Sequence, residues 1–155
     1  WTARRPWSEM KADFAGWHGN IQAIIDNADK DQCFRWAMNN RPPVDNWSTA
    51  RTTLLGDAAH PTLPYMAQGG GMAIEDGAVI ARALQQEDDV GEALNLYQRN
   101  RLERTARIVN ESSANRNMFH LPSEADLREA FAQRDMNAER TAWLFSYDPM
   151  TVELR

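Results

Sequence analysis

The sequence predicts a mostly helical chain with few strands, organised around one strand–loop–helix unit of the α/β kind. Three observations carry that expectation. Apolar residues recur at helical spacing in several segments of the 155 residues. Hydrophobic residues make up 43% and charged residues 25%, the balance of a chain with a buried core and not of a disordered one. Residues 51–55, Arg-Thr-Thr-Leu-Leu, form a short run rich in β-branched residues and closed by Gly56-Asp57, the form of a buried strand ending in a turn.

Taken in order, Ser8 is placed to cap a helix carrying Met10 and Phe14 at i,i+4. Ile21, Ile24 and Ile25 continue a helical pattern, which Asn27 and Asp29-Lys30-Asp31 end. Residues 33–38, from Cys33 to Met38, alternate large apolar and polar side chains and are expected as a strand. Asn39-Asn40-Arg41-Pro42-Pro43 breaks regular structure. After the strand at 51–55, a loop over 58–71 holds two prolines and three consecutive glycines, and a helix follows over 72–86. Glu75 and Asp76 fall in its first turn, where they suit the macrodipole. Its apolar residues lie on nearly every face, which implies deep burial. A long helix over 90–117 carries the stripe Leu94, Tyr97, Leu102, Ala106, Ile108 and Val109. Ser123-Glu124-Ala125-Asp126 has the form of a capping box opening a further helix, and a last helix is expected over 137–145.

The charge balance excludes whole classes of function. Seventeen Lys and Arg against 22 Asp and Glu give a formal charge of −5, against the clustered positive charge that nucleic acid or a membrane surface demands. One cysteine, Cys33, permits no internal disulfide and suits a reducing cytoplasm. No run approaches the roughly 20 apolar residues of a membrane span. The chain opens Trp1-Thr2-Ala3, with neither Met nor a signal-type apolar stretch, and reads as a segment of something longer.

The chemistry concentrates between Leu54 and Leu84. Gly56 allows close approach of a backbone or ligand. Asp57 stands at the carboxyl end of the expected strand, where α/β sheets place ligand sites, and its carboxylate can accept from ligand hydroxyls. Gly69-Gly70-Gly71 before a helix offers free N–H groups and a positive dipole end to an anion or electron-rich carbonyl. The plain alternative is a simple turn and a simple flexible loop.

This stretch resembles the second flavin-binding motif of the single-component FAD-dependent aromatic hydroxylases, the p-hydroxybenzoate hydroxylase family. It is most similar to the salicylate hydroxylase and 3-hydroxybenzoate 6-hydroxylase branch. Leu96-Tyr97 through Arg101, Arg104 and Arg107 resembles that family's arginine-rich helix, and Trp143 to Asp148 its terminal Trp-Leu-aromatic-x-Tyr-Asp signature. The resemblance implies an α/β parent of the FAD/NAD(P)-binding fold, of which this chain is a mostly helical carboxyl-terminal part. Residues 1–46 would end the substrate-binding domain, 47–120 would belong to the FAD domain, and 121–155 would form terminal helices. The implied activity is NADH- or NADPH-dependent hydroxylation of a phenolic acid by dioxygen, in a cytoplasmic protein that a homodimer would suit.

Roles follow from the resemblance residue by residue. Asp57, beside Gly56, would bind the ribityl hydroxyls of FAD. The backbone of Gly69, Gly70, Gly71 and Met72 would face the pyrimidine end of the flavin. Pro64 would lie beside the substrate with its carbonyl open to a phenolic hydroxyl, and Gln68 could reach the substrate or the oxygen intermediate. The family's Gly-x-Gly-x-x-Gly, which receives the ADP pyrophosphate, is absent from these 155 residues, as is its middle Asp-Gly motif. Two other readings compete: a non-catalytic helical interaction segment, and a related flavoprotein halogenase or epoxidase.

Other constellations carry less. His18, His60 and His120 are too scattered for a metal site, and none is expected. Asp57 and His60 suggest a dyad, but no Gly-x-Ser-x-Gly elbow accompanies them; His60 reads better as a loop-supporting histidine. Arg99, Arg101, Arg104 and Arg107, mixed with Glu103 and Glu111, read as a solvated or ion-paired helix face. The six tryptophans read as core or interface residues, and Met66 and Met72 as packing or substrate contact.

Overall fold

The computed structural model describes residues 2–133 and 138–155, which fall into two compact units divided after Met38. In the first, β1 (Thr2–Arg4) pairs antiparallel with β2 (Phe34–Trp36), Thr2 opposite Trp36 and Arg4 opposite Phe34. Between them lie α1 (Trp7–Asp13) and α2 (Gly19–Asp26). The strand expected over 33–38 is thus present in its centre. Helix α1 begins one residue before Ser8, which therefore does not cap it. Pro6 holds the N-cap position, its fixed φ of −59° leading the chain in without a side-chain bond. The Trp7 indole N–H donates to the Ile25 carbonyl at 2.8 Å and Lys11 pairs with Asp26 at 2.7 Å, tying α1 to α2.

The second unit is built on two long helices, α3 (Gly69–Gln86) and α4 (Val90–Phe119), joined by a short link and packed on each other. Asp89 caps α4 by accepting the Glu92 N–H at 3.0 Å. Two apolar clusters fill the contact. Val79 and Ala83 meet Trp47, Ala59, Leu96, Tyr97 and Leu154; Met72 meets Ile108 and Leu144. Ahead of α3 run two single-turn 3₁₀ segments, Gly56–Ala58 and Pro64–Met66. Beyond α4 come α5 (Glu124–Gln133) and α6 (Ala138–Phe145). Ser123 opens α5 as expected: its hydroxyl accepts the Asp126 N–H at 3.1 Å and donates to the Asp126 carboxylate at 2.7 Å. The expected start of the last helix, Asn137, lies outside the described residues.

The last stretch of chain is tied back to both long helices. Arg104 donates to the carbonyls of Trp143 and Leu144, and Arg82 to those of Pro149 and Val152. Asn100 both donates to the Arg155 carbonyl and accepts its N–H.

Three expectations need correction. Residues 51–55 are not a buried strand: their only pairing among the described residues is an isolated antiparallel bridge of Thr53 with Ser48, and Leu54 and Leu55 are about 40% exposed. Strand character belongs to a pair, and no described neighbour supplies the ladder. Helix α3 starts at Gly69, not Met72, so the triple glycine is its first turn and Glu75 and Asp76 stand in the second. Nor is α3 buried all round; Ile74 is 75% exposed and its buried side is Met72, Asp76, Val79 and Ala83. Among the described residues no helix is long and apolar enough to cross a membrane.

Candidate functional site

Gly56 adopts φ +58°, a left-handed conformation that glycine enters without strain. A Cβ there would stand 3.3 Å from the Ala73 Cβ, so the turn also packs closely on α3. The Gly56 N–H donates to Asp76 Oδ2 at 3.0 Å. This bond fixes the turn that carries Asp57 to the second turn of α3. Asp57 itself is exposed, and its carboxylate accepts from no described residue.

The helix start follows from the loop before it. Pro64 opens the second 3₁₀ turn, Ala67 closes it at φ +53°, and Gln68 takes the N-cap of α3. The first helical bond runs from the Met72 N–H to the Gln68 carbonyl at 2.8 Å. The amides of Gly69, Gly70 and Gly71 therefore precede the ladder and sit at the positive end of an 18-residue helix. A Cβ on Gly70 would meet nothing within 4 Å, so the space at this residue is open, whereas one on Gly69 would meet Thr62 at 3.4 Å.

The expected residues divide accordingly. Gly56 and Asp57 lie on the 3₁₀ turn that packs on α3 through Ala73 and Asp76, and Gly69, Gly70 and Gly71 form the first turn of the same helix. Gln68 borders them with no capping bond, its Oε1 3.4 Å from where a Gly71 Cβ would stand. Pro64 is exposed, and its carbonyl accepts the Ala67 N–H at 3.0 Å with one lone pair still open. Met72 is the correction. Its side chain is fully buried against Ile108 and Leu144 and its amide is used by the helix, so it supplies packing and no open donor.

Behind this surface lies a buried charge cluster. Asp76 receives the Gly56 amide and His60 Nε2 (2.6 Å) on one oxygen and Arg101 Nε (2.7 Å) on the other; Asp76 and Arg101 are both fully buried. Arg101 also reaches Glu75 at 2.7 Å and the Met72 carbonyl at 3.3 Å, while Arg104 grips Glu75 with two nitrogens. Burial pushes the Asp76 carboxyl up, but the bonds from His60, Arg101 and Gly56 outweigh it and hold the group below its ordinary value. Glu75 is lowered in the same way, by Arg104 and Arg101 against burial. The ion-paired reading holds for Arg101, Arg104 and Arg107, the last with Glu111, while Arg99 donates to the Arg155 carbonyl and the solvated reading fails for the buried Arg101.

Sequence reasoning missed this cluster because charged side chains are assigned to solvent by default. The adjacent acids Glu75-Asp76 facing Arg101 and Arg104, one turn apart on the next helix, were the available signal. Ser112 and Asn115 were missed as well: Ser112 Oγ donates to the Leu63 carbonyl at 2.6 Å and Asn115 Nδ2 to the Tyr65 carbonyl at 3.2 Å. No local pattern announces them.

An exposed unpaired carboxylate on a turn packed against α3, with uncommitted amides at the start of that helix and open space at Gly70, fits a group bearing hydroxyls next to an electron-rich carbonyl. Flavin carries both. Comparison with known proteins leads to the same chemistry. The family described as FAD binding domain matches residues 2–112. The chain is 37% identical, over its full length, to 39% of the 3-amino-4-hydroxybenzoate 2-monooxygenase PtmB3 of Streptomyces platensis. Over 56% of the chain it is 52% identical to 27% of the 3-hydroxybenzoate 6-hydroxylase 2 of Aquipseudomonas alcaligenes. Among solved structures, 89% of the chain superposes on 37% of Klebsiella pneumoniae HpxO complexed with FAD and uric acid, with a TM-score of 0.71 and 30% identity. The chain thus spans about two fifths or less of the length of these relatives.

Proposed function

The chain belongs to the FAD binding domain family, and from that premise we propose that it supplies the flavin-ring end of the active site of an aromatic-ring monooxygenase. The observation that supports this reading is the Gly56–Asp76 bond, which ties the turn bearing the free Asp57 carboxylate to α3, the helix that the glycine turn opens. Asp57 accepts from the ribityl hydroxyls. The amides of Gly69, Gly70 and Gly71, with the dipole behind them, face the pyrimidine end of the ring and stabilise negative charge there without reorganising. When bound, FAD supplies the hydride acceptor and the activation of dioxygen. The Pro64 carbonyl accepts a hydrogen bond from a phenolic O–H and so orients the ring of the substrate, and Gln68 borders the same space.

The substrate class is a small aromatic acid carrying a hydroxyl, the class named in two of the relatives, with NADH or NADPH and dioxygen as co-substrates and the cytoplasm as its place. Residues 1–46 belong in this reading to the substrate-binding portion, 47–120 to the FAD domain and 121–155 to terminal helices. The test is made on the full-length protein that carries this chain. It should bind FAD stoichiometrically, oxidise NADH or NADPH faster when a hydroxylated benzoate is added, and place an atom of labelled dioxygen in the product. Reduced nicotinamide oxidation that no aromatic acid accelerates would refute the reading.

A further inference from the structure

We propose that Ser112 and Asn115 are positioning residues for the aromatic substrate, acting through the backbone on either side of Pro64. The proposal rests on the reading of Pro64 as the substrate-facing carbonyl. Its ground is the distribution of hydrogen bonds over three successive carbonyls. That of Leu63 receives the Ser112 hydroxyl at 2.6 Å, that of Tyr65 receives the Asn115 amide at 3.2 Å, and that of Pro64, between them, receives no side chain. Ser112 and Asn115 stand three apart on α4 and so share one face of it. Helix α4 therefore holds the loop at both neighbours of the proline and takes up neither lone pair of the middle carbonyl.

The adjacent serine shows that this is not the default of a helical hydroxyl. Ser113 donates to the Val109 carbonyl four residues back, at 3.0 Å, the ordinary back-bond within a helix. Ser112 instead spends its donor on a loop carbonyl 49 residues earlier in the chain, although it is fully buried. A buried hydroxyl is tolerated only with a partner, so the pair is a fixed contact. Leu63 is itself buried, 3% exposed, which anchors the loop on the near side of the proline. The far side is held by the left-handed Ala67 and by its N–H on the Pro64 carbonyl, which sets the plane of that peptide. Proline adds its own restriction, since its φ cannot rotate to compensate for a released neighbour. Freed at Leu63 or Tyr65, the segment can tilt, and the carbonyl would leave the line on which a phenolic hydroxyl must lie.

The experiment uses the flavin-loaded full-length protein with Ser112→Ala, Asn115→Ala and, as matched control, Ser113→Ala. Flavin content, thermal midpoint, KM and kcat for the aromatic acid, and product formed per NADH or NADPH consumed are measured together. Ser112→Ala and Asn115→Ala should each lower kcat/KM roughly tenfold, about one hydrogen bond's worth of orientation. They should divert reducing equivalents to hydrogen peroxide while FAD content stays at the wild-type level, and Ser113→Ala should change neither quantity. Asn115, at the edge of the buried region, carries the test should Ser112→Ala fail to fold. Wild-type kcat/KM and coupling in a folded variant would overturn the proposal. So would a loss of stability and flavin that fully accounts for the kinetics, since the residues would then be merely structural. If the unsubstituted protein shows no aromatic-dependent turnover, the failure lies with the monooxygenase reading instead.

Discussion

Single residues set the electrostatics of the candidate site, and they separate into those that face a ligand and those that hold others in place. Asp57 is exposed and unpaired, so its loss should cost the fold little. In the flavin-loaded protein Asp57→Ala should weaken FAD retention by about 1–3 kcal/mol, the worth of a charge-assisted bond left unmade, with the thermal midpoint of the apoprotein unchanged. Dialysis followed by flavin fluorescence measures it. Asp76 is the opposite case. Asp76→Ala leaves the Nε of the fully buried Arg101 without its carboxylate, with Glu75 as its remaining partner acid, and frees the Gly56 turn, and should cost about 3–5 kcal/mol in a denaturant titration. The same carboxyl dictates a pH dependence. Its folded value lies below the ordinary 3.8, so its contribution to stability is complete above that value and is lost as pH falls through the lower folded one. Thermal midpoints should therefore hold steady down to about pH 4 and drop below it, and Asp76→Asn should flatten that drop.

At the scale of elements, α3 shows what sequence can and cannot disclose. Its end at Gln86 was legible, and so were the start of α4, the break at 39–43, the Ser123 cap and the centre of β2. Its beginning was not, because three glycines argue against helix by propensity while the packing of Met72, Asp76 and Val79 on α4 extends the helix through them. The strand expected over 51–55 failed for a different reason: its β-branched residues record a preference, whereas a ladder requires a second strand. The site turn was readable down to Gly56 and Asp57 because a left-handed glycine and a loop carboxylate are local signals. Its supports in Asp76, Arg101, Ser112 and Asn115 were not readable, since each is defined by a partner 16 or more residues away. A split outcome tests the helix start. Gly70 has open space where its Cβ would be, so Gly70→Val should leave the apoprotein's unfolding free energy within about 1 kcal/mol of wild type. It should nevertheless lower the flavin reduction potential or expel the cofactor. Gly56→Ala should behave differently, costing about 1–2 kcal/mol of stability because it forces a left-handed alanine against Ala73.

For the molecule as a whole, the proposed site would account for one end of a dinucleotide cofactor. The 155 residues contain no Gly-x-Gly-x-x-Gly to receive a pyrophosphate. Made alone, they should therefore neither retain FAD nor hydroxylate an aromatic acid, because half a site leaves too little binding energy once association entropy, on the order of 4–15 kcal/mol, is met. Fluorescence quenching of FAD on titration with the 155-residue chain decides the matter, and a tight stoichiometric yellow complex would contradict it.

The arginine grip on the end of the chain has a consequence for its freedom to vary. Arg82, Arg104 and Asn100 all hold backbone carbonyls there, at Trp143, Leu144, Pro149, Val152 and Arg155. A carbonyl is the one group every amino acid presents, so the grip recognises the path of the chain and is blind to most of its letters. Exposed positions such as Met150 and Glu153 can drift in identity without loosening it, while the apolar Leu154, which enters the core, cannot. Inheritance is thereby concentrated in the holders: one change at Arg82 releases two carbonyls at once, whereas many changes along the held segment release none.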